Sequence, residues 1–430
     1  MQDPREQVKR IYTGLDRSQW FTAEQLEEIQ NSELGRLVLH HYQTSPWFKQ
    51  RLDQQNLTPI DISTVEGLKR LIPMTKRDIQ DAGENFLSKN IPVQHRPTTE
   101  AKTSGRTGEP ITVVKTRINQ LIYWAMGLRD HEWHQRNFSL PLTSVRANSL
   151  EYIETDSWGG VVSMFFKTGP GQAIPLNWPI ETQLELLEKF KPEALIVHAG
   201  VLAAYCTHWD RYGYNLKLKS IRNIGESVND ILRGEVLRIT GCHLEDLYSS
   251  SEVGCISIEC PHSHQHHVMS ETLVVEVLDD NNMACQPGEI GRVVVTDLYN
   301  TASPLIRYDI GDLAQVGNPC GCGRHLPTLK RILGRRRGLF VRRDGTRFWP
   351  VAGQYSASRI VPIRQWQIIQ HTLDDIEYKL VTDDPLTEEQ HDQLLAVFKE
   401  KLQYPNIKIV EYRDSLPIDG KYEESICLVK

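Results

Sequence analysis

The chain has 430 residues, of which 40% are hydrophobic and 24% charged, with a formal net charge of −6 and 8 cysteines. That length exceeds one ordinary core, so two or more domains are expected. The acidic balance argues against a nucleic-acid binder, and no apolar run is long enough to span a bilayer. The polar start of the chain carries no signal-peptide core. It reads as a cytoplasmic protein whose cysteines are reduced, buried or metal-bound.

Over residues 3–55 the apolar positions Leu26, Ile29, Leu34, Leu37 and Val38 recur at helical spacing. Ser45-Pro46-Trp47-Phe48 breaks that run and starts a further short helix. Asp61, Ser63 or Thr64 can cap the segment carrying Leu68, and Pro73-Met74-Thr75-Lys76-Arg77-Asp78 reads as a second cap. Nothing in this helical lead-in suggests chemistry.

The stretch Thr103-Ser104-Gly105-Arg106-Thr107-Gly108-Glu109-Pro110 does. Its glycines let backbone N–H groups converge on an anion, its hydroxyls add donors, and Arg106 adds charge. It is not a P-loop, because Glu109 and Pro110 stand where Lys and Ser/Thr are needed. By composition alone an ordinary turn is the commoner outcome. Residues 111–114 alternate as a strand and 117–136 read as an amphipathic helix, a placement suited to ligand binding at a sheet edge.

Residues 161–166, after Gly159-Gly160, fit a helix or a strand. Helix 182–190, strand 194–197, a helix starting at 199, strand 220–224 and helix 228–240 then alternate, which implies α/β layers. Beyond Tyr248, strands at 273–278, 291–296 and 313–316 lie between turn signals such as Asp280-Asn281-Asn282 and mark a β-rich subdomain at about 255–333. Gly334-Arg335-Arg336-Arg337-Gly338 is a basic, hinge-like segment. A small α+β domain follows, with strands at 339–341, 366–369, 377–381 and 408–411 and helices at 355–360 and 388–402.

Cys260, the run His262, His264, His266 and His267, and Cys320-Gly321-Cys322 form a second constellation. Two close thiols on a glycine turn, a distant Cys and a His can build a tetrahedral Cys₃His zinc site. His266 is the first choice of ligand, and His267 the alternative. Unmetallated cysteines stay open.

Four motifs follow the hydroxyl-rich loop in order. They are Gly225-Glu226, then Leu247-Tyr248-Ser249-Ser250-Ser251-Glu252-Val253-Gly254, then Pro304-Leu305-Ile306-Arg307-Tyr308-Asp309-Ile310-Gly311-Asp312-Leu313 with Gly334-Arg335, then Asp419-Gly420-Lys421. In that order, over nearly the whole chain, the sequence resembles the phenylacetate–CoA ligase-like branch of the adenylate-forming superfamily, which includes acyl- and aryl-CoA synthetases. The resemblance implies an α/β fold. A large N-terminal adenylation domain would occupy 1–334, with a mobile α+β domain at 335–430 pivoting at Arg337.

It also implies roles. Thr103, Ser104, Gly105, Arg106, Thr107 and Gly108 would cradle the ATP phosphates. Gly225, Glu226, Tyr248 and Ser249 would frame the adenine, Asp312 would take the ribose hydroxyls, and Arg335 would complete the nucleotide site. Ser251 would donate to the α-phosphate, Glu252 would bind Mg²⁺, and Lys421 would stabilise charge developing at the reacting phosphate. Tyr123, Trp158, Gly159 and His267 would line the acid pocket. The family's small hydroxyl residue and Lys are here Arg106 and Glu109. The expected activity is ATP-dependent adenylation of a small carboxylic acid, aromatic by preference, then transfer to a thiol. CoA is the default acceptor. A carrier protein, or a degenerate nucleotide binder, is the alternative. Neither nucleic acid nor a membrane is an expected partner, and a homodimer stays open.

Overall fold

The computed structural model describes residues 3–102, 111–146, 149–335, 340–345, 347–348, 350, 357, 360–413, 416 and 425–429. The loop 103–110, Arg337, Lys421 and most of the expected helix 355–360 lie outside the described residues.

The lead-in is helical: α1 (Pro4–Ser18), α2 (Ala23–Thr44), α3 (Pro46–Gln54), α4 (Val65–Leu68) and α5 (Lys76–Ala82). Local chemistry sets the boundaries. The Ser45 hydroxyl accepts from the Phe48 N–H, and Pro46 occupies the first helical position, where a missing N–H costs nothing. Thr64 caps α4, and Thr75 and Asp78 form a capping box at α5. The hairpin β1 (Thr98–Lys102) and β2 (Thr112–Thr116) flanks the hydroxyl-rich loop, and α6 (Arg117–Trp133) follows.

The alternating region gives β3 (Leu142–Arg146), β4 (Ile153–Thr155), α7 (Gly160–Phe165), β5 (Gly171–Pro175), α8 (Ile180–Phe190), β6 (Ala194–Val197), α9 (Ala199–Tyr212), β7 (Ser220–Ile224), α10 (Asp230–Thr240) and β8 (Leu244–Ser250). The segment after Gly159 is thus a helix. Then come β9 (Gly254–Glu259), β10 (His266–Val268), β11 (Leu273–Leu278), β12 (Ile290–Asp297), β13 (Tyr308–Val316) and β14 (Thr328–Arg335).

These strands join one 12-stranded sheet, ordered β11-β12-β13-β14-β10-β9-β8-β7-β6-β3-β5-β4. Strands β8, β7, β6, β3 and β5 run parallel, and the rest pair antiparallel. The β-rich segment is therefore a wing of the main sheet, joined through the β8–β9 pair, and has no separate sheet of its own.

Helices α8, α9 and α10 bury Leu184, Leu187, Leu202, Tyr205 and Val236 on one face of the parallel strands. On the other face α1 and α6 pack Val8, Leu15, Leu121 and Met126 against Leu247 and Ile258. Chain order reverses around β3: the chain passes to β5 on one side, then returns to β6 on the other. Such a reversal opens a crevice at the C-terminal ends of the strands.

A second sheet, β19-β18-β17-β20, comprises β17 (Ile363–Gln370), β18 (Asp375–Thr382), β19 (Asn406–Tyr412) and β20 (Ser425–Cys427), after the short pair β15 (Phe340–Val341) and β16 (Arg347–Phe348). The helix Glu388–Leu402 covers it, with Phe398 stacked on Tyr378 at 3.8 Å.

Candidate active site and metal centre

The parallel strands end in a row of polar groups. β3 ends at Arg146, His198 follows β6, Gly225-Glu226 follows β7, and β8 ends at Tyr248-Ser249-Ser250. Gly225 has φ +74°, and a Cβ there would lie 3.1 Å from the His198 ring, so only glycine lets the turn pack this way. The Gly200 N–H donates to Glu226 Oε2 at 2.8 Å, and the Asn223 amide donates to the Glu226 carbonyl at 2.6 Å and to Asp246 Oδ1 at 2.7 Å. The turn is fastened to its neighbouring strand from below.

Tyr248 and Asp312 are 64 residues apart in sequence, yet the Tyr248 hydroxyl donates to Asp312 Oδ2 at 2.7 Å. Both are buried. Asp312 lies opposite Arg335 in the β13–β14 pairing, which puts three sequence-predicted positions at one place. Past Tyr248 the register shifts, and the Val253 N–H donates to the Ser250 hydroxyl at 3.2 Å, closing the turn that carries Ser251 and Glu252. Ser251 is exposed and Glu252 is buried. Tyr123 of α6 sits over this turn, half-exposed, with its ring against Gly254.

Two residues that sequence reasoning passed over belong here. Lys115 of β2 feels both Glu252 and Asp297. Burial pulls its pKa down, and the two carboxylates oppose that. Asp297 is buried and accepts from the Asn119 amide at 3.0 Å, and burial lifts its pKa to about 6. No local signal marks either, because the β2–β12 proximity is long-range.

Trp158 is tied back rather than free. Its indole N–H donates to the Leu140 carbonyl at 2.8 Å, and Phe138 meets it edge-on at 5.6 Å. Gly159 carries φ +68° at the start of α7.

The cysteine cluster forms elsewhere, between β9, β10 and the turn before β14. One ligand atom from each of Cys260, His267, Cys320 and Cys322 falls within 4.8 Å of the others. Cys260 Sγ lies 3.7 Å from Cys320 Sγ, and Cys322 Sγ lies 3.3 Å from His267 Nε2. Burial opposes thiolate formation, yet backbone amides of His262 and Ser263 bring the Cys260 pKa below its ordinary value, and Arg324 does the same for Cys322. His267 Nδ1 faces the Leu326 carbonyl at 3.2 Å, which leaves Nε2 free of its proton and turned to the thiols.

This corrects two expectations. His266 is not at the cluster: its Nε2 lies 3.4 Å from Asp246 Oδ2 and its Nδ1 3.3 Å from Ser257 Oγ. His267 does not line an acid pocket: it is fully buried against Cys322, with Trp133 edge-on at 5.6 Å. Adjacent residues of β10 face opposite sides of the sheet, so only one of the two histidines can reach the thiols.

The chain thus combines a doubly wound parallel core, an antiparallel wing, a buried Tyr–Asp pair and a small second sheet. No family model matches the chain. It is 25% identical over 389 residues to a phenylacetate-coenzyme A ligase of Thermus thermophilus, covering 87% of this chain and 85% of that protein. It is also 25% identical over 357 residues to the Escherichia coli phenylacetate-coenzyme A ligase, covering 76% and 75%. In structure it matches a 2-hydroxyisobutyryl-CoA ligase in its postadenylation state with a TM-score of 0.76 at 16% identity, over 96% of this chain and 92% of that one. Over most of its length the chain is thus similar in sequence to phenylacetate-coenzyme A ligases, and it shares the fold of an acyl-CoA ligase.

Proposed function

We propose that the protein is an AMP-forming acid–thiol ligase that activates a small carboxylic acid with ATP and passes the acyl group to CoA. The buried Tyr248–Asp312 hydrogen bond, with buried Glu252 on the turn that follows β8, is the observation that carries the reading. In the first half-reaction a carboxylate oxygen bonds to the α-phosphorus and the bond to pyrophosphate breaks. In the second, a thiolate attacks the acyl carbon and AMP leaves. Both steps need charge held near the α-phosphate and water kept out.

In this reading the adenine lies along Tyr248, Ser249 and the Gly225-Glu226 turn, and Asp312 accepts from the ribose hydroxyls. Ser251 donates to the α-phosphate. Glu252 suits Mg²⁺, a hard cation that takes carboxylate and phosphate oxygens. Residues 103–108 take the β- and γ-phosphates, Arg335 completes the nucleotide site, and Lys421 supplies a mobile positive charge. The division at 334/335, with Arg337 as pivot, lets the small domain exchange that lysine for the thiol. Tyr123, Trp158 and Gly159 face the acid, and an aromatic body fits them. The set Cys260, His267, Cys320 and Cys322 fits zinc in number and donor type. Zinc would act there as a structural staple, since all four donors come from protein.

The test is pyrophosphate release over a panel of carboxylic acids, with and without CoA. Release that needs an acid, and thioester that needs CoA, is the expected result. Lys421→Ala lowers the adenylation rate by about 10²–10³-fold, the scale for losing one group that stabilises developing charge. Release by the variant at the wild-type rate overturns the mechanism. Acyl transfer to a phosphopantetheinyl carrier but never to CoA selects a carrier-loading enzyme instead.

A further inference from the structure

The acid side of the crevice holds a cation that the adenylation roles do not use. Ser144 of β3 pairs with Ile196 of β6, which pairs with Arg222 of β7. Two residues further on, the same face carries Arg146, His198 and Ile224, and Ile224 pairs with Leu247 of β8. Leu247 packs with Leu121, Ala125 and Met126 of α6, and Arg222 pairs with Asp130 of that helix at 3.1 Å. This is the face that α6 covers with Tyr123. Arg146 and His198 stand on either side of the topological switch point, where ligands bind in such sheets.

The basic side chains here differ in their partners. Arg222 and Arg136 share buried Asp130, and His198 lies 4.0 Å from Glu226. Arg146 has no carboxylate partner among the described residues. Its Nε donates to the neutral Ser144 hydroxyl at 3.0 Å, two residues back along β3, so the bond holds the guanidinium against the strand end on the face that α6 covers. It keeps solvent contact, so the pull on its pKa, first from partial desolvation and then from Arg222, leaves it charged. Tyr123 acts on it in the opposite sense.

Three strand spacings separate β3 from β8, about 14 Å. Arg146 thus stands well away from the nucleotide groups on β8, with Tyr123 and Trp158 on the same side of the sheet. Adenylation neutralises only the reacting carboxylate, so a second anionic group on the acid would keep its charge and need a counter-ion.

We propose, resting on the ligase reading, that Arg146 recognises a second anionic group at the far end of the acid, so that the substrate class is a small ring-bearing diacid. The guanidinium fork suits a carboxylate in two-point contact.

The experiment compares matched acids: phenylacetate against 3- and 4-carboxyphenylacetate, and benzoate against phthalate and isophthalate. The readout is the ratio of kcat/KM for a diacid over its monoacid partner, from pyrophosphate release. A ratio of about 10 or more for the best diacid is expected in the wild type. It falls toward one in Arg146→Gln and partly returns in Arg146→Lys, as the loss of one charge-assisted contact implies. A wild-type ratio of one or less overturns the proposal. So does an Arg146→Gln variant whose main change is a raised KM for ATP, which puts the guanidinium on the phosphates. Calorimetric binding of the same diacids separates this inference from the ligase reading. Wild type that releases no pyrophosphate with any acid sinks the ligase reading. Diacid binding that Arg146→Gln abolishes still supports the Arg146 contact, and absence of diacid binding in wild type overturns it.

Discussion

At the scale of the residue, the cysteine cluster turns on one strand position. His267 presents Nε2 to Cys322 at 3.3 Å while its neighbour His266 turns to Asp246 on the other side. Removing the donor should therefore separate the two. Purified His267→Gln or Cys322→Ser loses bound zinc and melts at lower temperature, since structural zinc contributes folding free energy directly. His266→Gln keeps its zinc stoichiometry. Elemental analysis of the three proteins beside wild type decides it: metal lost only from His266→Gln reverses the assignment, and wild type without metal ends the zinc reading. The three cysteines were legible in the sequence, because spacing and a glycine turn suffice to nominate thiols. The histidine was not, because adjacent strand residues differ only in the face they take, and that face is set by β9 and β14, not by local sequence. Motif order singled out Tyr248, Glu252 and Asp312, and the structure joins Tyr248 to Asp312 by a hydrogen bond. Lys115 and Asp297 were not singled out, since they come together only through strands distant in sequence.

At the scale of the element, helices were read well where caps announced them, as at Pro46, Thr64 and the Thr75–Asp78 box. Of the antiparallel strands, β11, β12 and β13 were found and β9, β10 and β14 were not, nor was their membership of one sheet, because pairing across the β8–β9 junction is a non-local outcome. How the helical lead-in attaches to that wing shows the same limit. Arg307 enters β13 at φ +54° and is fully enclosed. Its guanidinium donates to both Glu276 oxygens at 2.9 and 2.7 Å, and to the Lys69 and Leu71 carbonyls. The backbone joins in: the Met74 N–H donates to the Arg307 carbonyl, and the Asp309 N–H donates to that of Met74. A residue inside the 304–313 motif thus works as the clamp between lead-in and wing. Arg307→Met leaves the Glu276 carboxylate without its partner and should lower unfolding stability by about 3–5 kcal/mol. The double change with Glu276→Leu recovers part of that loss. Denaturant titration of the set measures it, and a single-variant loss under about 1 kcal/mol rules the clamp out.

At the scale of the whole molecule, buried titratable groups set how the fold responds to acid. His41 is fully enclosed, between the Ser88 hydroxyl and the Asn300 carbonyl at 2.8 Å each, an arrangement that suits one N–H and one bare nitrogen. Burial first, and His40 second, push its pKa down to about 3. His131 reaches about 3 as well, through burial first and then Arg136. Both fold neutral, while the unfolded chain protonates them near pH 6.5. Between pH 3 and 6.5 the unfolded state therefore binds more protons at these sites, and their contribution to stability is lost as pH falls through that window. Asp297 acts the other way. Its folded pKa of about 6 lies above the unfolded value, so between about pH 4 and 6 the native state holds the extra proton. Around pH 5 the balance is two histidine protons favouring the unfolded state against one aspartate proton favouring the native state. Over these three groups the net is about one proton, which contributes about 1.4 kcal/mol per pH unit to the stability slope, rising with pH. Asp297→Asn removes the opposing proton and should steepen the slope by about 1.4 kcal/mol per pH unit, while His41→Leu should lower it by about as much, whatever either change does to absolute stability. Urea titrations between pH 4.5 and 5.5 read the slope directly. A slope that Asp297→Asn leaves unchanged would show that the carboxyl is ionised in the fold at pH 5, and Lys115 would then be its effective counter-charge.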